Sequence, residues 1–276
     1  MIITSINVNG IRAAVKQRSE ENLGMLPWLR ATKAEVVLLQ EVRATHKQTV
    51  TALAPALEEG WHLAAAESST AGRNGVAVLS RREADAVRVG FGSEEFDHTG
   101  RYLEADFDGL TVGSLYLPSG DVGTERQDEK DRFRAEFGAH LAKLGRRRRE
   151  VLVCGDWNIG HTELDIKNWK GNVKNSGFLP EERAWMSEYI GEGRAFKDVV
   201  RELHPGEPGP YAWWSWRGKA FDNDSGWRID LQIANNALAK RAVSARVERA
   251  EAYNLRWSDH APVTVEYADA VRGSAG

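Results

Sequence analysis

The sequence has very little cysteine and no long apolar run. Its one cysteine, Cys154, cannot form an intrachain disulfide, and its place inside VLVCGD predicts a small buried core residue. No apolar stretch approaches the about 18 to 20 residues that span a bilayer, and MIITSINVNG lacks the basic and then apolar pattern of a secretion signal. We therefore expect a cytoplasmic protein without membrane association.

Several motifs of catalysis and binding are also absent. There is no cluster of cysteine and histidine at zinc spacing and no GxxxxGK[ST] phosphate loop, which argues against zinc and P-loop chemistry. The formal net charge of −3 argues against a protein that coats nucleic acid through bulk positive charge, so any nucleic-acid site must be local. The arginines at 146–149 follow a predicted helix and are expected at its solvated end, with DNA contact as the alternative.

Short apolar, β-branched runs recur along the chain and predict strands. They are IITSINV, VVLLQ, GVAVLS, YLEADF, LTVGSLYL, VLVCGDW, WRIDLQIA and APVTVEY. Helical periodicity lies between them over 22–33, 124–144 and 181–204. With no internal repeat and no flexible linker, the 276 residues favour one layered α/β domain over 1–270, followed by a short flexible tail, 271–276.

Many of these strands end on, or just beyond, a polar residue. The residues concerned are Asn7, Asn9, Glu41, Tyr116, Asp156, Asn158, Asp230, Asp259 and His260. A single one would indicate a loop cap or a surface charge, but a series spread over the chain is typical of an active-site rim. Strand alternation places Asp156 and Asn158 on the same side, so one can accept a proton while the other orients the same reacting atom.

The residue types in this rim favour a hard cation and phosphate chemistry. Carboxylate and amide oxygens suit Mg²⁺ or Mn²⁺ held by one or two acids, with water and substrate phosphate completing the shell. Hydrolysis of a phosphoester also needs a group that activates water and donors for the developing charge. We expect Glu41 to bind the metal, Asp156 and Asn158 to activate water, and His260, beside Asp259, to face the phosphate.

The same motifs carry a resemblance to a known family. SINVNGIRA, LLQEVR, GVAVLSR, YLPSG, GDWNI, GWRIDLQI and WSDHAPV resemble, in order, the signature segments of the endonuclease/exonuclease/phosphatase superfamily, and within it the exonuclease III family of apurinic/apyrimidinic (AP) endonucleases. The resemblance runs from about residue 2 to residue 267. KGNVKNSGF and PEERAW are similar to segments of the exonuclease III branch, which separates this chain from the sphingomyelinases and phosphatases of the superfamily.

The resemblance implies a four-layer α/β sandwich with two central mixed β-sheets flanked by helices, and a site at one edge. The catalytic residues that it implies are Tyr116, Asp156, Asn158, Asp230 and His260. The metal-binding residues that it implies are Glu41, Asn7, Asp259, Asp156 and Asn158. Tyr116 would donate to the scissile phosphate, and Asp230 would orient His260. Asn9 departs from relatives that carry Asp there, which puts one metal position in doubt.

Contacts with double-stranded DNA are implied as well. The DNA-binding residues are predicted to be Asn172, Asn175, Arg73, Arg101, Lys170, Lys174, Trp213, Trp214 and Trp227. The tryptophans would form a small apolar pocket for a flipped-out baseless sugar, and an abasic nucleotide costs least to flip because its pairing and stacking are already lost. Core packing for the tryptophans, and solvated surface positions for Arg73 and Arg101, are the alternatives.

Together these features predict a monomeric, Mg²⁺-dependent DNA repair hydrolase, with Mn²⁺ as a substitute. It would cut the phosphodiester 5′ to an abasic site in double-stranded DNA, and would also act as a 3′–5′ exonuclease and trim 3′ ends as a phosphodiesterase or phosphatase. A predominantly 3′–5′ exodeoxyribonuclease is the alternative. From other classes, a phosphatase or phosphodiesterase acting on a lipid or small molecule and a catalytically inactive DNA-binding scaffold stay open.

Overall fold

The structure, a computed structural model, describes residues 1–269, so the predicted tail at 271–276 lies outside the described residues. The strands are β1 Ile2–Asn7, β2 Val36–Gln40, β3 His62–Ala66, β4 Val76–Ser80, β5 Ala86–Val89, β6 Tyr102–Phe107, β7 Leu110–Tyr116, β8 Glu150–Asp156, β9 Phe196–Asp198, β10 Asp230–Asn235, β11 Ala242–Val247 and β12 Val263–Tyr267. The α-helices are α1 Ile11–Ala14, α2 Met25–Ala31, α3 His46–Glu58, α4 Glu125–Leu144, α5 Trp169–Asn172, α6 Pro180–Tyr189, α7 Val199–Leu203 and α8 Asn236–Ala239.

The strands form two six-stranded mixed sheets. The first has the order β11-β12-β1-β2-β4-β3, and the second has the order β5-β6-β7-β8-β10-β9. Near the centre of each sheet one pair is parallel, β1 with β2 and β7 with β8. The remaining neighbours are antiparallel. Because both parallel pairs end at the same side of the sandwich, that edge collects the polar residues that follow β1, β2, β7 and β8.

Three apolar layers separate the two sheets and their helices. Ile3, Leu38, Val112 and Cys154 are among the residues that fill the space between the sheets, and all are fully buried. A second cluster lies between the first sheet and α2 and α3, and a third lies between the second sheet and α4 and α6. This arrangement confirms the predicted four-layer α/β sandwich, and Cys154 is the buried core residue that its context predicted.

The four strands that sequence periodicity did not predict all lie at sheet edges. All the predicted strands are present, whereas β3, β5, β9 and β11 were not predicted. Each of these four is a terminal strand of one of the sheets. The side chains of β5 and β11 are largely exposed, so they lack the apolar pattern of a buried strand.

One predicted helix is wrong in its extent. The segment 181–204 is divided into α6 and α7, with β9 between them. Gly191 and Gly193 have positive φ values of 130° and 69°, and Ile190 forms a bridge with Phe196. A left-handed glycine ends a helix without steric strain, and the bridge then returns the chain to the sheet. The other two predicted helices are present as α2 and α4.

The arginine run after α4 is tied to the second sheet. Arg147 lies 3.1 Å from Glu104, and Arg149 lies 3.3 Å from Asp106. Arg149 also donates to two backbone carbonyl groups. These contacts assign Arg147 and Arg149 a structural role at the end of the sheet away from Asp156. Within residues 1–269, none of the helices combines the length and the apolar character of a membrane span.

Candidate active site

The predicted rim residues meet at one edge of the sandwich because the strand registers align them. In the second sheet Asp156 is paired with Tyr116 on one side and with Asp230 on the other. In the first sheet Asn7 is paired with Gln40, and Glu41 follows directly. The ends of five strands from two sheets thus face a common point, as the sequence predicted.

Asn7 connects the two sheets at this edge. Its Nδ2 donates to Glu41 Oε1 at 2.8 Å and to Asp156 Oδ2 at 2.9 Å. Its Oδ1 accepts from the backbone N–H of Asn9 at 2.9 Å, which sets the orientation of the amide. In this orientation Asn7 holds two carboxylates as a donor, which favours an organising role for it over direct ligation of a metal.

Asn158 has a strained backbone that several contacts stabilise. Its φ is +48°, in the left-handed region that asparagine tolerates better than most residues. The backbone N–H donates to Asp156 Oδ1 at 2.9 Å, and Nδ2 donates to the Leu117 carbonyl at 2.8 Å. Because both amide protons belong to Nδ2, Oδ1 is the acceptor that Asn158 can offer to a water or a cation.

His260 is held between two acids. Its Nδ1 lies 2.7 Å from Asp230 Oδ2, and its Nε2 lies 3.8 Å from Asp156 Oδ2. Burial alone would lower the pKa of His260, but Asp230 outweighs burial, with help from Asp156, and raises it to about 10. His260 is therefore a cation at neutral pH. Nδ1 of His260 thus faces Asp230 and Nε2 lies on the side of Asp156, and the orienting role of Asp230 stays a prediction.

Burial also changes the acidity of Asp156 and Tyr116. It raises the pKa of Asp156 to about 7, against the opposing effect of His260, and Asp230 and Glu41 add to the increase. A carboxylate with a pKa near neutrality is well placed to accept a proton from water at physiological pH. Burial raises the pKa of Tyr116, and Glu41 and Asp156 raise it further, so its hydroxyl stays a proton donor.

The donor set fits a hard divalent cation. Atoms of Glu41, Asp156 and His260 lie within 4.8 Å of one another, and all three residues are buried. Asp230 Oδ1 is also buried and has no hydrogen-bond partner within residues 1–269. Buried carboxylates in excess over nearby cations favour a bound positive ion, and the two acid side chains are the ligands that Mg²⁺ and Mn²⁺ use. Because Nδ1 of His260 is bound to Asp230, Nε2 is left for another partner, and the contact of His260 with the phosphate stays a prediction.

Asp259 is held by Asn9 and Trp213. Its Oδ1 accepts from Asn9 Nδ2 at 2.7 Å, and its Oδ2 accepts from Trp213 Nε1 at 3.2 Å. An aspartate at position 9 could not donate this hydrogen bond, so Asn9 stabilises Asp259 directly. Ligation of a metal by Asp259 stays a prediction.

A cavity of about 310 Å³ opens beside Glu41 and Tyr116 and is lined by arginines. These arginines are Arg43, Arg73, Arg101 and Arg126. The Arg101 guanidinium lies 5.2 Å from the centroid of the Tyr116 ring and is paired with Glu129 at 2.9 Å. Its charge is therefore already engaged within the protein, unlike that of an arginine whose side chain is free to bind a phosphate. Arg73 is exposed at the cavity mouth, as a DNA contact would require.

Sequence reasoning missed two of these arginines. Arg43 forms an ion pair with Glu41, and its place in LLQEVR was the available signal. Arg126 donates to Ser119 Oγ at 2.7 Å from the first turn of α4, and only its position shortly after YLPSG pointed to it. Both place positive charge next to the rim, although the whole chain is acidic.

Trp213 and Trp227 form an aromatic corner beside His260. Their ring centroids lie 6.0 Å apart at 90°, and the Trp213 ring lies 6.4 Å from that of His260. Trp214 differs, since it is 2% exposed and packs against Phe221. This burial indicates a packing role for Trp214, whereas Trp213 and Trp227 have the position expected of pocket walls.

The predicted DNA-binding loop projects from the same edge. Asn172 ends the short helix α5, and its Oδ1 accepts from Asn175 Nδ2 at 2.9 Å. Asn175, Lys170 and Lys174 are exposed, and Asn172 is half-buried. The structure thus brings two amides and two cations to one surface close to Asn158.

Comparison with known proteins agrees with this geometry. DNA repair nuclease APEX1 of Danio rerio is 34% identical over 265 residues, which cover 96% of this chain and 81% of that protein. An exodeoxyribonuclease of Bacillus subtilis strain 168 is 32% identical over 263 residues, covering 95% and 98%. The solved structure of an AP endonuclease from Archaeoglobus fulgidus superposes with a TM-score of 0.83 at 26% identity and covers 97% of this chain and 99% of that one.

The family model covers the part of the chain that contains the rim. It is that of the Endonuclease/Exonuclease/phosphatase family, and it matches residues 4–260. This range contains every residue of the rim, from Asn7 to His260. The chain belongs to the endonuclease/exonuclease/phosphatase family.

Proposed function

We propose that this protein is a DNA repair nuclease that cuts the phosphodiester 5′ to an abasic site in double-stranded DNA and leaves a 3′-hydroxyl group. The single observation that carries the proposal is the convergence of Glu41, Asp156 and His260 beside an aromatic corner, with Asn7 joining the two carboxylates. The relatives named as a DNA repair nuclease and an AP endonuclease support it. The cytoplasmic location and the monomeric state stay predictions.

Each rim residue has a chemical task in this reaction. Asp156 accepts the proton of the attacking water, and Asn158 Oδ1 orients that water through a second hydrogen bond. The His260 imidazolium and the Tyr116 hydroxyl donate to the phosphate oxygens, where negative charge develops. Because Asn7 holds the carboxylates of both sheets, these groups are positioned before substrate binds.

Glu41 and Asp156 would hold the divalent cation, with Asn158 and Asp259 as further predicted ligands. When bound, Mg²⁺ or Mn²⁺ would stabilise charge on the phosphate and on the leaving oxygen. A cation at this place would also lower the pKa of Asp156, which burial raises in its absence. Asp156 would therefore be ionised at a lower pH once the ion is bound.

The aromatic corner explains a preference for a baseless nucleotide. Trp213 and Trp227 meet at right angles next to His260, which leaves an apolar wall for a sugar. Flipping a nucleotide out of a duplex costs about a few kcal/mol, and the cost is lowest where pairing and stacking are already lost. Asn172, Asn175, Lys170 and Lys174 would then hold the backbone without reading sequence.

Incision of a duplex that carries one tetrahydrofuran abasic analogue tests the proposal. With Mg²⁺ we expect a single nick 5′ to the analogue, and with EDTA we expect none, because the carboxylates alone cannot stabilise the developing charge. The matched undamaged duplex is the control. Absence of a metal-dependent nick at the analogue would refute the proposed function.

A second candidate is a predominantly 3′–5′ exodeoxyribonuclease. It is favoured by the Bacillus subtilis relative of that name, of which this chain covers 98%. Water and phosphate are arranged identically for removal of a 3′ nucleotide or a 3′ blocking group, so one site serves both reactions. A recessed duplex run beside the abasic duplex ranks the activities, and a large rate advantage for the recessed end would make exonuclease the main function.

Duplex binding should depend strongly on salt through the cavity arginines. Each phosphate contact adds roughly 1 to the slope of log K against log salt, so we expect Arg126→Ala to reduce that slope by about 1. Arg148→Ala, in the exposed run at the opposite edge, is the control and should leave the slope unchanged. A salt titration by fluorescence anisotropy measures both, and equal slopes for native protein and Arg126→Ala would contradict the phosphate contact.

A further inference from the structure

A buried ion pair lies beneath the loops of the candidate site and takes no part in the mechanism above. It joins Lys130, on α4, to Glu182, on α6, with Nζ 2.8 Å from Oε1. Both residues are 0% exposed. Lysine and glutamate are rarely buried completely, and removing them from water is costly even as a pair. Such a pair therefore needs a specific reason to be where it is.

The ammonium group of Lys130 contacts three loops at once. Nζ donates to the carbonyl oxygen of Asn158 at 2.9 Å, to Ser176 Oγ at 3.2 Å and to the carbonyl oxygen of Ser119 at 3.4 Å. Ser119 follows β7, Asn158 follows β8, and Ser176 follows α5. The Lys130 side chain thus joins three loops: the loop that follows β7 and Tyr116, the loop after β8 that contains Asn158, and the predicted DNA-binding loop after α5.

The carboxylate of Glu182 holds the DNA-binding loop from the other side. Its Oε2 accepts from the N–H of Gly177 at 2.6 Å and from the N–H of Leu179 at 3.1 Å. Its Oε1 accepts from Ser176 Oγ at 3.2 Å. These contacts begin directly after Asn175. The position of the loop relative to Asn158 therefore depends on both members of the pair.

Asn158 is the catalytic group most affected by this arrangement. Its left-handed backbone persists only where the surroundings over-determine it. The backbone N–H of Asn158 donates to Asp156, and its side-chain Nδ2 donates to the Leu117 carbonyl. Lys130 donates to the other backbone polar group of Asn158, its carbonyl oxygen. Without Lys130 the carbonyl would lose its charged partner, and the side chain that orients water would lose part of its support.

Close packing transmits the position of one loop to the others. A Cβ on Gly120 would lie 2.2 Å from Ser176 Oγ and 2.8 Å from Lys130 Cδ. A Cβ on Gly177 would lie 3.0 Å from the ring of Trp227 and 3.1 Å from the carbonyl oxygen of Asn158. The loops therefore lie against the pair, against each other and against the aromatic corner with no spare room.

We propose that Lys130, with Glu182, is a positioning residue for phosphodiester hydrolysis. The pair sets the distance between Asn158, which orients the attacking water, and the Asn172–Asn175 segment, which holds the DNA. This inference rests on the proposed function, because it assigns the pair a task in that reaction. It differs from a purely structural role in predicting that activity depends on the contacts of the pair even where stability does not.

The test compares Lys130→Met with the double variant Lys130→Met/Glu182→Gln. The single variant leaves a buried uncompensated carboxylate, so both Tm and kcat should fall. The double variant removes both charges and keeps an amide oxygen for the N–H groups of Gly177 and Leu179, so most of the Tm should return. We expect kcat to stay about 10- to 100-fold below that of native protein, because the carbonyl of Asn158 is still unsupported. Recovery of kcat together with Tm would overturn the proposal.

A matched control and a second readout separate the two proposals. Glu104→Gln disrupts another buried charged network, between β6 and α4, where His140 lies 2.8 Å from Glu104, and should lower Tm without changing kcat. Hydrogen exchange should become faster over 157–162 and 173–179 in the double variant, and unchanged exchange there would count against the positioning role. If native protein fails to nick the abasic duplex, the proposed function fails, whereas the exchange result still decides whether the pair holds these loops.

Discussion

Asp156→Asn is expected to lower kcat on an abasic duplex by about 10⁴-fold, the upper range for loss of a general base. Asparagine has the same shape, and its single amide oxygen keeps one of the two hydrogen bonds that Asp156 accepts, from Asn7 Nδ2 or from the backbone N–H of Asn158, so the rim should keep most of its geometry. It cannot take a proton from water at any pH of interest. The substitution therefore removes the proton acceptor, and it also weakens the cation site to which Asp156 would contribute a ligand.

Duplex binding by Asp156→Asn should stay close to that of native protein, because the predicted DNA contacts lie on other loops. Gel-shift affinity in EDTA, measured beside kcat in Mg²⁺, separates the two effects. Asp106→Asn is the matched control, since it changes a carboxylate of the same sheet that pairs with Arg88 at the opposite edge. Lost binding combined with retained cutting would contradict the assignment of Asp156.

His260→Gln is expected to lower kcat by about 10²- to 10³-fold, as removal of a charged donor to a developing oxyanion does. Substitution of Asp230, the partner of His260, gives a sharper test, because it changes the pH dependence of kcat. The imidazolium is the active form, so activity is present below the pKa of His260 and is lost as pH rises through it. Burial lowers that pKa, but Asp230 outweighs burial and raises it to about 10.

Asp230→Asn removes this raising effect, so the loss of activity on the alkaline side should move to a lower pH than in native protein. A profile of kcat from about pH 5 to about pH 10.5 at constant ionic strength shows the shift. The acidic side should change less, because Asp156 controls it. Coincident alkaline limbs in native protein and Asp230→Asn would exclude Asp230 as the group that keeps His260 charged.

Much of the fold was predictable because its signals are local. Buried strands such as β2, VVLLQ, and β8, EVLVCGD, show continuous apolar runs, and α4 shows a helical period over its whole length. Edge strands such as β5 carry no such run, since their side chains are largely exposed to solvent and need not be apolar. The helix predicted over 181–204 failed because periodicity continued across two left-handed glycines that turn the chain.

The sequence predicted which residues lie at the candidate site, but it did not predict which of their side chains contact one another. Asn7 was expected among the metal-binding residues, and the structure shows it as the donor that joins Glu41 to Asp156, although it lies 149 positions from Asp156 in the chain. Trp214 was expected in the pocket and is buried against Phe221. In both cases the residue type and place were informative, whereas the partner depended on how two distant segments meet.

The amino-acid sequence by itself determined the strands, their polar ends and the motif order that carries the family resemblance, because each is written in neighbouring residues. Only the tertiary structure decided which polar groups touch. It brought Lys130 and Glu182 together beneath three loops, and it placed Asp230 beside His260, which raises the pKa of His260 against the opposing effect of burial. Hydrogen bonds and buried charge depend on distances of a few ångström between segments far apart in the chain, and no local pattern encodes those distances.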